Sequence, residues 1–149
     1  MNPIPFLDLS AMHDEVRPEL DHVWSAVCKD NAFIGGPFVE AFEQHWADYC
    51  GRRHAVGVAN GTDALELILA ASGIGAGDEV IVPANTFLAT AEAVCNVGAA
   101  PVFVDVDPDT LLIGAAAVEA ALSPRTSAVM VVHLYGQMAD VDAIETVCD

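Results

Sequence analysis

An apolar run, Ala55-Val56-Gly57-Val58-Ala59, leads into Asn60-Gly61-Thr62-Asp63 and straight on into the apolar stretch Ala64 to Leu69. A strand that turns into a helix in this way presents the unbonded N–H groups of the helix's first turn to whatever lies above them. The positive end of the helix dipole points the same way, so the ligand is an anion. Gly61 permits the backbone angles of a tight turn, and Thr62 adds a hydroxyl. The chemistry implied is the seating of a phosphate group. Lys29 is the only lysine in the 149 residues, so any reaction needing an amine beside that phosphate must draw it from elsewhere.

Other candidates are weaker. Gly73-x-Gly75-x-Gly77 has the spacing of a dinucleotide turn, but that turn must follow a strand and open a helix, and here the order is reversed. Asp105-x-Asp107-x-Asp109 imitates the start of a calcium loop, yet the sixth position is Thr110 rather than Gly and the twelfth is Ala116 rather than Glu. An Asx turn at Asp107-Pro108-Asp109 accounts for it better. The histidines, His13, His22, His45, His54 and His133, show no i, i+4 pairing that would hold a metal. Pro83-Ala84-Asn85-Thr86-Phe87 puts an aromatic ring at a strand end, where it could stack on a planar cofactor. From spacing alone, packing of Phe87 beneath the following helix is the stronger reading. His133-Leu134-Tyr135-Gly136-Gln137 brings three polar side chains to another strand end, where loops are commonly polar in any case.

The elements that must position these residues alternate along the chain. Ser10 is placed to cap a helix over about 11–29. Pro37 opens a second helix in which Val39, Phe42, Trp46 and Tyr49 recur on one packing face until Gly51 ends it. The pattern then predicts strand 55–59, helix 62–72, strand 80–82, helix 87–97, strand 102–104, helix 114–121, strand 128–132 and a last helix from about 139. Val80-Ile81-Val82, Val102-Phe103-Val104 and Val129-Met130-Val131-Val132 are unbroken apolar runs, as in parallel strands covered on both faces. The fold class is therefore α/β, a mainly parallel sheet with helices on both faces. Ligands of such sheets gather at the carboxyl ends of the strands, which places Asn60–Asp63, Pro83–Phe87, Asp105–Asp109 and His133–Gln137 on one rim.

Composition bounds the partners. A formal charge of -17, from 22 acidic against 5 basic side chains, repels phosphodiester backbones and anionic lipid headgroups, so neither nucleic acid nor a membrane surface is an expected partner. An anionic ligand must then be held by backbone amides and hydroxyls. Cys28, Cys50, Cys95 and Cys148 form no CxxC pair and read as reduced core thiols. No basic leader or 18-residue apolar segment is evident, and a cytoplasmic location is expected.

Several motifs occur together and in order: IPFLDL at 4–9, FIGGP at 33–37, YCGRRHAVGVANGTDAL at 49–65, GDEVIVPANTFLAT at 77–90, PVFVDVDPDT at 101–110 and PRTSAVMVVHLYGQ at 124–137. Nearly the whole chain closely resembles the nucleotide-sugar aminotransferases of the DegT/DnrJ/StrS family, fold-type I enzymes dependent on pyridoxal 5'-phosphate (PLP). The resemblance implies that Gly61, Thr62 and Asp63 contact the cofactor phosphate and that Phe87 stacks on the pyridine ring, reversing the reading from spacing. The Gly35-Gly36-Pro37 loop resembles one that approaches the partner subunit's active site in a homodimer.

The same resemblance implies that residues 1–36 are an N-terminal helix and loop, and 37–149 the first part of the PLP-binding large domain. The Schiff-base lysine, the acid that pairs with the pyridine nitrogen and the small C-terminal domain lie outside this sequence, so the chain is expected to be an inactive fragment with no catalytic residue of its own. Lys29 matches no family motif. The intact enzyme would transfer an amino group from glutamate to a nucleotide-diphosphate keto sugar, with the IPFLDL opening similar to members acting at the 3-keto position. A dehydratase branch of the family and a PLP-free α/β phosphate-binding module are the alternatives. In the large domain implied, the strand feeding the phosphate turn lies apart from the next three, so 55–59 is expected to lack a neighbour and 128–132 to present an open apolar edge.

Overall fold

The computed structural model describes residues 4–148. These divide after Gly57 into two compact units.

The first unit carries two helices, α1 (Ser10–Asp30) and α2 (Pro37–Tyr49). Ser10 is not the cap of α1 but its first residue. Its N–H and hydroxyl both donate to Asp8 Oδ1, at 2.9 and 2.6 Å, so the acceptor expected of Ser10 is supplied two residues earlier. Those bonds hold the Asp8 carboxyl below the usual aspartate range. Pro37 does open α2, and Gly51, at φ 62°, lies just past its end. On α2, Phe42 stacks on Trp46 at 6.0 Å and Trp46 on Tyr49 at 5.6 Å. The packing face read from periodicity is nevertheless uncovered: Trp46 is 51% exposed and Tyr49 83%. Helical spacing identifies an apolar stripe but not what lies against it.

Residues 55–59 form no strand. The expected strand is not built: among the described residues no segment forms a ladder with it, and a strand needs a second chain segment to bond with. Instead the Glu43 carboxylate, on α2, accepts the Gly57 N–H at 2.7 Å.

The second unit is α/β. Strands β1 (Glu79–Pro83), β2 (Ala100–Val104) and β3 (Thr126–Val129) form a parallel sheet in the order β2-β1-β3. The third starts and ends earlier than the apolar run at 128–132 suggests, although the Met130 N–H still donates to Ile81 O at 2.9 Å. Helices α3 (Gly61–Ala71), α4 (Ala89–Asn96), α5 (Ala115–Ala121) and α6 (Val141–Cys148) flank it. Side-chain alternation along β1 separates two cores. Val80 and Val82 pack with Leu69 of α3 and Ala93 and Val94 of α4, while Ile81 packs with Val118 of α5 and Ile144 of α6. Both faces of the central strand are thus covered, which explains its unbroken apolar sequence.

At the amino end of β1 the buried Glu79 carboxylate accepts the Ser123 hydroxyl at 2.5 Å and pairs with Arg125, while the Glu79 N–H donates to Arg125 O at 2.8 Å. This cluster ties β1 to the turn before β3. All four cysteines are unpaired and exposed rather than in the core. Each lies on a helix, or at its end, with its side toward solvent, a distinction that small apolar residues do not reveal in sequence.

Candidate functional site

Asn60 precedes α3 with an extended backbone, φ -162° and ψ 177°. Its side-chain Oδ1 accepts the Asp63 N–H at 3.0 Å, and its carbonyl accepts the Ala64 N–H at 3.1 Å. Of the first-turn donors, this leaves the N–H groups of Gly61 and Thr62 without an acceptor among the described residues. Gly61 does not have a positive φ, so its role as a conformational necessity in the turn is not sustained. The space beside it is open, since a Cβ there would meet no atom within 4 Å. Two free amides at a helix amino terminus, with half a positive charge from the dipole, suit an oxyanion.

Among the described residues, none that lines the depression beside this turn is a cation. Asp63 borders a shallow depression of about 290 Å³ with Val58, Ala59, Glu66 and Leu67, and Phe87 is not among its lining. Backbone donors rather than charged side chains are what this end of α3 offers an anion. Thr62 and Asp63 are half-buried and Gly61 is exposed.

Phe87 leaves the carboxyl end of β1, the strand between β2 and β3. It is 79% exposed and so does not pack beneath α4, the placement that spacing alone favoured. Its carbonyl accepts the Thr90 N–H at 3.0 Å, and the hydroxyls of Thr86 and Thr90 share a hydrogen bond of 2.8 Å. Thr90 itself is 5% exposed.

Helices α3 and α4 lie side by side on one face of the sheet, and both run opposite to β1. Glu66 accepts a hydrogen bond from the Asn96 amide at 3.1 Å, which fixes their relative height. Five residues back from that bond are Gly61 on α3 and Ala91 on α4, and Phe87 is one turn before Ala91. The first turn of α3 and the Phe87 loop therefore share the carboxyl-end rim of the sheet.

The other two loops of that rim are largely self-contained. Asp107 Oδ1 accepts the N–H groups of Asp109 and Thr110 at 3.0 and 2.8 Å, the Asx turn expected from sequence. The Thr110 amide and hydroxyl, with the Asp109 amide, hold the Asp107 carboxyl below the usual range. His133 Nδ1 accepts the Ala139 N–H at 3.2 Å, and Gln137 donates to Thr110 O at 3.3 Å. Two of the three polar side chains of 133–137 are thereby occupied. Tyr135 is not: it is 96% exposed, with φ 53°.

A larger groove of about 340 Å³ runs between β3 and α6, past Thr126, Val129, Val141 and Ile144. None of the residues expected to bind a ligand borders it. Reasoning from sequence missed the acceptor role of Asn60, which the Asn-x-x-Asp spacing before an apolar run could have signalled, and the Thr86–Thr90 pair, visible as hydroxyls at i and i+4.

Residues 14–149 match the family model described as the DegT/DnrJ/EryC1/StrS aminotransferase family. The dTDP-3-amino-3,4,6-trideoxy-alpha-D-glucose transaminase of Streptomyces venezuelae is 46% identical over 146 residues, covering 98% of this chain and 38% of that protein. Among solved structures, S. venezuelae DesV in complex with a ketimine intermediate superposes with a TM-score of 0.94 at 45% identity, over 100% of this chain and 40% of that one. The PLP-form of the sugar aminotransferase Spr1654 from Streptococcus pneumoniae gives a TM-score of 0.73 at 36% identity, over 76% of this chain and 29% of that one. The chain spans about 40% of the length of the curated relatives it matches.

Proposed function

The chain belongs to the DegT/DnrJ/EryC1/StrS aminotransferase family, and from that premise we propose that it supplies the phosphate seat and ring-stacking residue of a PLP-dependent sugar aminotransferase. The observation that carries the reading is the pair of unpartnered amides at Gly61 and Thr62 on the same rim as the exposed Phe87 ring. The residues fit the group. Two amides and a hydroxyl meet a phosphate, open space replaces a Cβ at Gly61, and Phe87 offers a flat apolar face to a pyridine ring. Asp63 closes the turn, since its amide is engaged by Asn60.

When bound, PLP supplies an electron sink for the carbon that bears the amino group. The chain's own residues bind and orient it. Lys29, the only lysine, lies on α1, so the part proposed for these 149 residues is cofactor recognition. Transamination is proposed for a polypeptide that also carries the rest of the family's length. The likeness to the S. venezuelae dTDP-3-amino-3,4,6-trideoxy-alpha-D-glucose transaminase supports a nucleotide-linked keto sugar, aminated at the 3-position, as the acceptor. Glutamate as donor, a homodimer and a cytoplasmic setting belong to the same proposal. Among the described residues no helix is long and apolar enough to cross a membrane. Family membership weighs against the PLP-free module.

The test is titration with PLP and with inorganic phosphate, followed by the amide resonances of Gly61 and Thr62. Both ligands are expected to move those two signals, and Phe87→Leu to weaken PLP by about 3- to 10-fold while leaving phosphate unchanged. Unmoved Gly61 and Thr62 signals at saturating ligand would falsify the reading.

A further inference from the structure

Thr90 is one of two polar side chains buried among the described residues; the other, Glu79, sits at the opposite end of β1. A threonine inside a helix can return its hydroxyl to the carbonyl four residues back, but Thr90 is the second residue of α4 and the residue four back lies in the loop. Here the Thr90 hydroxyl instead meets the hydroxyl of Thr86, at 2.8 Å, and the Thr90 N–H donates to Phe87 O at 3.0 Å. Phe87 is thus bracketed: the residue before it and its own carbonyl are both fastened to one buried residue. Its ring, 79% exposed, has little packing of its own to hold it. Ala93 and Val94, both fully buried, pack with Val80 and Val82 of β1 and seat the helix that carries Thr90 against the sheet, so the anchor is rigid where the ring is not.

We infer that Thr90, through its hydrogen bonds to Thr86 and Phe87, is a positioning residue that fixes the Phe87 ring for stacking on a planar pyridine cofactor. The inference rests on the function proposed above. Thr90 touches no ligand in this scheme; it acts through the loop. Removing its hydroxyl leaves the Gly61–Thr62 amides untouched, because those belong to α3. The predicted signature is therefore selective, with the ring contact weakened and the phosphate contact retained.

The experiment compares PLP and inorganic phosphate affinities of the full chain, read by amide shifts, for the unaltered protein, Thr90→Val, Thr90→Ser, Thr86→Val, Phe87→Leu and the double variant Thr90→Val with Phe87→Leu. Thr90→Val and Thr86→Val are expected to lower PLP affinity by about 3- to 10-fold, with phosphate affinity unchanged. Thr90→Ser is expected to restore PLP affinity to within about twofold, and Phe87→Leu to add nothing on top of Thr90→Val. Thr86→Val, at a half-buried site, keeps the test open should Thr90→Val fail to fold. Equal loss of PLP and phosphate in the threonine variants, or PLP affinity that survives both, overturns the inference alone. An unaltered protein whose affinity for PLP does not exceed that for phosphate overturns the proposed function and this inference with it.

Discussion

The Asn60 side chain accepts the Asp63 N–H at 3.0 Å. That bond decides which amides of the first turn of α3 stay available, since it takes one donor away from any ligand and leaves Gly61 and Thr62. Asn60→Ala should destabilise the second unit by about 1 kcal/mol, the usual worth of an N-cap. Asn60→Asp keeps the acceptor but sets a negative charge beside the anion seat. It is expected to preserve the denaturation midpoint while lowering phosphate affinity by about tenfold, read by titration. A phosphate affinity indifferent to that charge would place the ligand elsewhere.

Glu79 and Arg125 are unequal partners. The Glu79 side chain is 12% exposed and the Arg125 side chain 69%. Glu79→Ala strands the Ser123 hydroxyl and the Arg125 fork, and should cost about 1–3 kcal/mol in urea unfolding. Arg125→Ala should cost under about 1 kcal/mol, because a mostly solvated arginine contributes little. Equal effects would mean that the ion pair, and not burial of the carboxylate, dominates this corner.

The bonds from the Thr110 amide and hydroxyl, and then from the Asp109 amide, hold the Asp107 carboxyl below its ordinary value of 3.8. A depressed folded-state pKa stabilises the loop fully above that ordinary value, and the contribution fades as pH falls through the folded pKa beneath it. The Thr110 amide resonance should therefore titrate with a midpoint under 3.8. Asp107→Asn should abolish that acid transition while keeping the turn. A Thr110 midpoint at or above the ordinary value would contradict the hydrogen-bond pattern.

Strand β3 is paired on one side only among the described residues, and the Phe42-Trp46-Tyr49 stack lies open on α2. Sedimentation of the chain is expected to depend on concentration, because uncovered apolar surface and unpaired strand edges recruit other molecules. Trp46→Lys should weaken that dependence. A monomer at all concentrations, with one cooperative unfolding transition, would show these surfaces to be inert.

The parts legible from sequence share a physical property: their environment is set by near neighbours. Val80-Ile81-Val82 reads as a strand because both of its faces are buried, and Asp107-Pro108-Asp109 reads as an Asx turn because the bonds span only two or three residues. What depends on distant chain was not legible. Residues 55–59 have strand composition but no ladder, and no local pattern announces that. Spacing alone favours a Phe87 ring packed beneath the helix; only the fold decides that it is presented. Gly61 stands where sequence suggests a tight turn, yet its φ is not positive and a Cβ there would meet open space, so neither backbone nor packing demands glycine.

The bond between Glu43 and the Gly57 N–H occupies one backbone donor of a segment that has strand composition but no ladder. A strand laid against that donor would have to displace the carboxylate first, so Glu43 acts as a placeholder for the missing hydrogen-bond acceptor at this one residue.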